Sequence, residues 1–379
     1  MSAPSADESN IVVVARRFVA SFVTPCAQAW DGGQADSHAV LPAAGAAGLL
    51  GLEVPLAHGG LGLSFASKRH VAEVLAAADF GLAMSVINSH NVANHLARVA
   101  APAVAHRFVP ALLSGQSSGC TALTEPGAGS DFSAITTQAR RVGDGWQLDG
   151  HKAWIVNATH ADVLVVYAQT EPGSGARGIA AFVVDGKRSG FVRQARADTA
   201  AARSVDAGGF SLTGYRAQAD ELLHPPGEAF KAALASVNGA RTYVAAMCCG
   251  MVQECLRVAN AYGAIRHTFG KPLHEHQGWR WSLAEAAIDL AAARLMVDSA
   301  ATLIDDGQDA QTAAAQAKVF ATRMAGRHIA ALMHAMGAEG LRTEHPFMRH
   351  LAAAQVATLT DGSTEMLLER VARGLRHTG

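Results

Sequence analysis

Four short stretches of this 379-residue chain carry residue types able to do chemistry. The densest is TALTEPGAGSDF, residues 121–132, where a strand-like run enters a glycine-rich turn. The backbone N–H groups of such a turn are not masked by side chains, and Ser130 adds a hydroxyl. It can therefore wrap a phosphate or pyrophosphate, although Gly127-x-Gly129 alone is equally an ordinary tight loop. It is not a Rossmann fingerprint, because Phe132 stands where the third glycine belongs and the flanks read as strands. GHKAWIVNA, residues 150–158, sets Trp154 near Asn157 after a turn. The indole can be plain core packing, or one wall for a flat heteroaromatic ring if the two stretches are neighbours. In AIRHTFGKPLHEHQ (264–277), Arg266, Phe269 and Lys271 gather at a helix end before a proline, as a solvated terminus or as a partner for phosphate. The fourth stretch is TLTDGSTEML (358–367), with one carboxylate, Asp361, in a polar break. Asp361 can cap the last helix or can act as a reagent.

The elements around these stretches come in three blocks, which predicts an α+β multidomain fold. Residues 1–118 read as helical. NIVVVARRFVASFV runs over several turns to Thr24-Pro25, and LPAAGAAGLLGLEVP reads as another helix. From residue 119 to 226, short alternating or β-branched runs such as ADVLVVYAQT and GIAAFVVDG are punctuated by Gly, Pro and Asp. With no helices between them, these runs predict an antiparallel sheet. Residues 227–379 are helical again. In WRWSLAEAAIDLAAARLMVDSAA, Trp281, Ala284, Ile288, Ala291 and Leu295 follow at three- and four-residue steps and are expected to face the core, with Ser282, Glu285 and Asp289 opposite.

Composition narrows the function classes. Half the residues are hydrophobic and 17% charged, which suits a well-buried globular protein. Net charge is −1, so there is no electrostatic footprint for nucleic acid or an anionic membrane surface. The start, MSAPSADESN, is acidic rather than a basic secretory leader, and apolar runs are broken well short of a membrane span. Five cysteines with no CxxC pair suggest reduced thiols in a cytoplasmic protein. The 17 histidines lack metal-ligand spacing, so no metal is expected.

Taken in order across this layout, TEPGAGSD, GHKAWIVNA and RHTFGKP resemble the acyl-CoA dehydrogenase family of flavoproteins, from HGGLGLS at 58–64 to the last helix. The resemblance implies an N-terminal helical domain, a middle antiparallel β-barrel domain and a C-terminal four-helix bundle. It implies FAD between the last two, an acyl-CoA or other acyl-thioester substrate, a homotetramer built as a dimer of dimers, and an electron-transferring flavoprotein as electron acceptor. Residue by residue, Ala122, Leu123 and Thr124 would hold the flavin, Gly129 and Ser130 would meet the pyrophosphate, and Trp154 and Val156 would lie against the ring system. Arg266 and Phe269 would reach the cofactor of a neighbouring subunit. Gly337 matches an adenosine-side glycine, and Ser363 adjoins the cofactor. Asn88, Ser130, Arg241 and Gly362 would face substrate. Asp361 would be the base that takes the α-proton, while the β-hydride passes to the flavin and a backbone N–H polarises the thioester carbonyl.

The chain departs from the family pattern in informative ways. The family's main branch carries Glu in a Tyr-Glu-Gly-Thr stretch, whereas here Thr360, Asp361, Gly362 and Ser363 align. Asp reaches about 1.5 Å less, roughly one C–C bond, and a misplacement of about 1 Å can cost on the order of 100-fold in rate. Some members carry their base on an earlier helix, but Ala240 occupies that place. Val156 stands where a hydroxyl is common, and Glu339 replaces an aromatic residue and reads as an exposed loop charge. Polar Asn88, Ser89 and His90 in the stretch lining the acyl pocket point to a short or functionalised acyl group. Two alternatives follow from the same superfamily: an oxidase resembling nitroalkane oxidases, with Asp361 as base, and a catalytically weak DNA-associated alkylation-response-like protein.

Overall fold

The computed structural model describes residues 6–199 and 202–375. The N-terminal block holds α1 (Ala6–Phe18), α2 (Ala27–Asp31), α3 (Leu41–Ala46), α4 (Phe65–Ala78), α5 (Phe80–Val99) and α6 (Pro102–Leu113). The two helices that matter for the site are both capped. Ser64 accepts from Ser67 N–H at 3.2 Å and Asp79 from Leu82 N–H at 2.7 Å, each satisfying an otherwise orphaned donor. The helix expected over LPAAGAAGLLGLEVP ends early, at Ala46. Gly48 takes φ 76°, which breaks the helical run, and Gly45 sits so close to the Ser114 carbonyl that a Cβ there would lie 2.5 Å from it.

The middle block is an eight-stranded sheet: β1 (Gly119–Ala122), β2 (Gln138–Val142), β3 (Gly145–Val156), β4 (Val163–Gln169), β5 (Ile179–Asp185), β6 (Phe191–Arg193), β7 (Ala207–Ala217) and β8 (Leu222–His224). The strands run in the order β6-β7-β3-β2-β4-β5-β8, with β1 beside β4. The expectation of purely antiparallel pairing fails at β4, which β1 pairs in parallel, Gly119 opposite Val163, and which β2 also meets in parallel, Gln138 opposite Gln169. The long excursion through β2 and β3 returns the chain in the same direction. Period-two alternation divides β4 between two cores. Val163, Val165 and Tyr167 pack with Leu96, Phe108 and Leu112 of the helices, and Leu164 and Val166 pack inside the sheet with Phe182 and Phe210.

The C-terminal block comprises α7 (Ala229–Ile265), a hairpin of β9 (His267–Thr268) and β10 (Lys271–Pro272), then α8 (Gln277–Asp305), α9 (Gln311–Ala335), α10 (Phe347–Leu359) and α11 (Thr364–Leu375). Helix α7 is the central rod, buried all round from Thr242 to Val252, so one core spans both helical blocks. Helix α8 reverses an expectation. Its buried face is Leu283, Ala286, Leu290, Ala293 and Val297, whereas Trp281, Ile288 and Leu295 are 61%, 63% and 65% exposed. The helix is apolar on two faces, and periodicity alone cannot tell which one the chain covers. Among the described residues, no helix is long and apolar enough to cross a membrane.

Candidate functional site

Six described residues other than glycine take positive φ, and Trp154 (59°), Phe269 (51°) and Asp361 (54°) are three of them. Asn and Asp tolerate this region through their short polar side chains, but for Trp and Phe it is a true outlier that the surroundings must impose. The strain falls on residues already singled out by their chemistry.

Asp361 lies half-buried in the turn between α10 and α11, followed by Gly362 at φ 103°. All three carbonyls of the turn are taken. Lys318 Nζ, buried on α9, donates to Thr360 O and to Gly362 O (2.6 Å), and Arg241 Nε, on α7, donates to Asp361 O (3.0 Å). The carboxylate itself accepts a long 3.4 Å bond from Thr360 Oγ1. Burial raises the Asp361 pKa, and the Lys318 and Arg241 charges act against that rise. Burial also brings Lys318 down to about 8, while Asp361 favours its charged form. The capping role falls to Ser363, not Asp361: Ser363 Oγ lies 3.5 Å from Met366 N–H at the start of α11. The carboxylate is thus left out of the helix end, on a backbone gripped by two cations.

The glycine-rich stretch is held by a buried ion pair that sequence reading missed. Lys152 Nζ on β3 meets Glu125 Oε1 at 2.9 Å and also donates to Leu123 O at 2.9 Å. Glu125 accepts further bonds from Thr136 N–H (2.6 Å) and Thr137 N–H (2.9 Å). Burial opposes ionisation of Glu125, but the Lys152 charge and these bonds outweigh it and hold the carboxyl down at about 2. Ala153 N–H closes on Thr124 O at 3.2 Å, so the end of β1 and the Trp154 stretch do become neighbours. Ala122 is buried, Leu123 and Thr124 are half-buried, and Gly129 and Ser130 are exposed at the loop tip. A Cβ added at Gly127 or Gly129 would meet nothing within 4 Å, which leaves a bare backbone cradle open to an anion. The register of β3 against β7 breaks between Lys152 and Ile155, and the irregularity turns Trp154 outward, 64% exposed, next to half-buried Val156. An open amide cradle beside an outward indole fits a flavin dinucleotide.

The remaining expected residues lie apart or act differently. Arg266 ends α7 exposed, and Phe269 is 97% exposed at the hairpin tip. Gly337 (φ 64°) opens a turn with free space around it, and Glu339 is engaged with His345 at 3.2 Å rather than being an isolated loop charge. Asn88 is half-buried on α5, but Ser89 and His90 do not line an open pocket. Ser89 Oγ accepts Gly119 N–H at 3.2 Å, and His90 is bound between Leu50 O and Glu53. The next polar side chain, Asn91, belongs to a different network. It donates to Tyr243 OH (3.2 Å) and accepts from Lys68 Nζ (3.2 Å), and Lys68 in turn pairs with Glu53. Burial and the Asp361 charge raise the Tyr243 pKa. A signal for the missed cations was present: Lys152 shares strand parity with inward Leu148, and Lys318 sits among buried alanines at helical spacing.

Three comparisons bear on this geometry. The acyl-CoA dehydrogenase N-terminal, middle and C-terminal domain models match residues 5–116, 120–214 and 227–376. The human mitochondrial short-chain specific acyl-CoA dehydrogenase is 33% identical over 340 residues, 88% of this chain and 82% of that one. Butyryl-CoA dehydrogenase from Megasphaera elsdenii superposes with a TM-score of 0.95 at 26% identity, covering 100% of each chain. A glutaryl-CoA dehydrogenase from Mycobacterium smegmatis, solved with FADH2, superposes with a TM-score of 0.91 at 25% identity over 98% of this chain and 95% of that one. With the bare cradle, the outward indole and the half-buried carboxylate in the same order along the chain, it belongs to the acyl-CoA dehydrogenase family of FAD-dependent oxidoreductases.

Proposed function

We propose that the protein oxidises a short or polar acyl-CoA thioester at its α–β bond, with Asp361 as the base. The observation that carries this reading is the Asp361 turn: a half-buried carboxylate outside the helix cap, with a raised pKa and a backbone locked by Lys318 and Arg241. When bound, FAD supplies the hydride acceptor. The protein's own part is to bind and orient it, with Leu123, Thr124, Gly129 and Ser130 along the open loop and Trp154 and Val156 along the flat ring. Asp361 takes the α-proton, and its own N–H polarises the thioester carbonyl. Gly362 and Arg241 shape that corner, and Asn88 faces the acyl side. Ala240 leaves no second carboxylate at the position used by other branches.

The polar group of Lys68, Asn91 and Tyr243 beside Asp361 supports a short or functionalised acyl chain, since a long aliphatic tail gains nothing against such a wall. The exposed Trp281, Ile288 and Leu295 stripe, with Phe269 and Arg266 on the neighbouring hairpin, supports a homotetramer in which these residues reach a second copy. The setting is cytoplasmic, and electrons pass to an electron-transferring flavoprotein.

The test is anaerobic titration of the flavin-loaded protein with straight, branched and carboxyl-bearing acyl-CoAs and with nitroalkanes. Bleaching by a thioester, lost in Asp361→Ala, is expected. Bleaching by nitroalkanes alone with fast reoxidation by air would instead establish the oxidase reading, which the Asp in place of Glu favours. Asp361→Glu separates reach from acidity: a faster straight-chain substrate in that variant would mean that the missing methylene limits the wild type.

A further inference from the structure

A second cluster lies away from the Asp361 turn, where the N-terminal block meets the sheet. Among the described residues, ligand atoms of Asp36, His38 and His160 come within 4.8 Å of one another. Asp36 uses both oxygens: Oδ1 lies 3.2 Å from His38 Nδ1, and Oδ2 lies 2.9 Å from His160 Nε2. The two imidazoles stack with centroids 4.2 Å apart, so both present an edge to the same carboxylate. Asp36 also accepts the His38 N–H at 2.9 Å, which fixes the Asp-x-His loop.

The far side of each ring is equally organised. His160 Nδ1 faces Asp206 Oδ2 at 3.1 Å and Thr159 Oγ1 at 2.7 Å. His38 Nε2 faces Asn157 Oδ1 at 3.2 Å. An acceptor on that side draws the ring proton there and turns the other nitrogen's lone pair inward, the arrangement that orients histidines on a metal. Asn157 is itself fixed, donating to Ser85 O (3.1 Å) and Gly119 O (3.0 Å). Asn157 and Asp206 are two more of the positive-φ residues, so the backbone is bent to place these acceptors.

We propose that Asp36, His38 and His160 bind a zinc-like divalent cation, with Asp206 and Asn157 orienting the two histidines. Two imidazole nitrogens and a carboxylate form a donor set suited to zinc. The carboxylate meets the two imidazoles through its two oxygens, at 3.2 and 2.9 Å, and all three ligand atoms lie within 4.8 Å, so a small closure of the side chains reaches the edge of about 3.3 Å of a tetrahedron with zinc-to-ligand bonds of ordinary length. Asp36, His160 and Asp206 line a cavity of about 350 Å³ together with Arg196 and Arg203, which leaves room for water or a small anion as a further ligand. The ion ties the loop before α3 to the turn after β3, two segments that here meet through the side chains of Asp36, His38, Asn157 and His160.

The flavin-loaded protein, stripped on a chelating resin, is dialysed against zinc chloride, and metal per chain is measured. One bound zinc per chain is expected, together with a rise in melting temperature that follows zinc concentration. Asp36→Asn and His160→Gln should abolish both effects. Asp206→Asn, which keeps a residue at ease in left-handed backbone, should weaken binding about 10- to 100-fold. Flavin content reports the folding of each variant. If His160→Gln loses its flavin, the exposed Asp36→Asn substitution decides. No uptake, or uptake unchanged in the Asp36→Asn/His160→Gln double variant, overturns the site.

Discussion

The turn at Asp361 and the hairpin tip at Phe269 use the same backbone device with opposite surroundings. Each sets a large or charged residue in left-handed conformation directly before a glycine with positive φ, 103° at Gly362 and 80° at Gly270. Around Asp361 the device is closed: Lys318 and Arg241 reach in from two helices and occupy all three carbonyls. Around Phe269 it is open, with the ring nearly wholly exposed and His276 edge-on to it at 6.2 Å. Strain held by buried hydrogen bonds is complete within one chain. Strain on an exposed aromatic ring has no such return until something covers it, and the bare stripe on α8 lies on the helix that follows.

The sharpest test of this contrast is Asp361→Ala. Loss of a general base should slow flavin reduction by acyl-CoA about 10²- to 10⁴-fold with flavin content unchanged, as read by stopped-flow bleaching. If reduction slows no more than in Phe269→Ala, the two regions do not differ in the way described. Lys318→Met comes next. It leaves the carbonyls of Thr360 and Gly362 without their donor, at about 1–3 kcal/mol for a buried group left unpaired, measurable by urea unfolding. It also moves the pH profile. The base works ionised, so activity falls as pH drops through the raised Asp361 pKa. Removing a cation that opposes that rise should shift the acid limb of kcat/KM to higher pH.

At the open region the expected effects are smaller. Phe269→Ala should cost more than about 1 kcal/mol of assembly and appear as flavin loss on dilution. Trp281→Asp should shift the oligomer towards smaller species in light scattering. Both should leave the reduction rate per bound flavin near wild type. The smallest effect is on stability, in Asp361→Asn. A carboxyl whose folded pKa is raised holds its proton more tightly folded than unfolded, so its ionisation lowers stability as pH rises through that window. The neutral amide should therefore melt slightly higher at neutral pH, and a lower melting temperature would mean that the charge is needed to hold Lys318 and Arg241.

The family could be read directly because its signals are consecutive in the chain. TEPGAGSD, GHKAW and RHTFGKP carry the family likeness within eight residues or fewer each, and the nearly unbroken apolar run of β4 marks a strand buried on both faces. What could not be read depended on distant partners. Ser89 and His90 are polar on a helix otherwise apolar at those positions, and nothing local says that Gly119 and Glu53 will claim them. The metal-like cluster draws on residues 36, 38 and 160, with no ligand spacing to announce it.

The sequence by itself determined the order of helical and sheet blocks, the bare glycine loop, the absence of a carboxylate at Ala240 and the presence of one at Asp361, because these depend on residue type and near neighbours. Only the tertiary structure decided that Ser363, not Asp361, caps the start of α11, that Lys318 and Arg241 hold the turn, that Glu125 and Lys152 lock the loop, and which apolar face of α8 is covered. A buried charge or a two-faced helix has several acceptable local conformations. The choice among them is made by desolvation and by the partner that happens to lie opposite, and that partner is set by the fold.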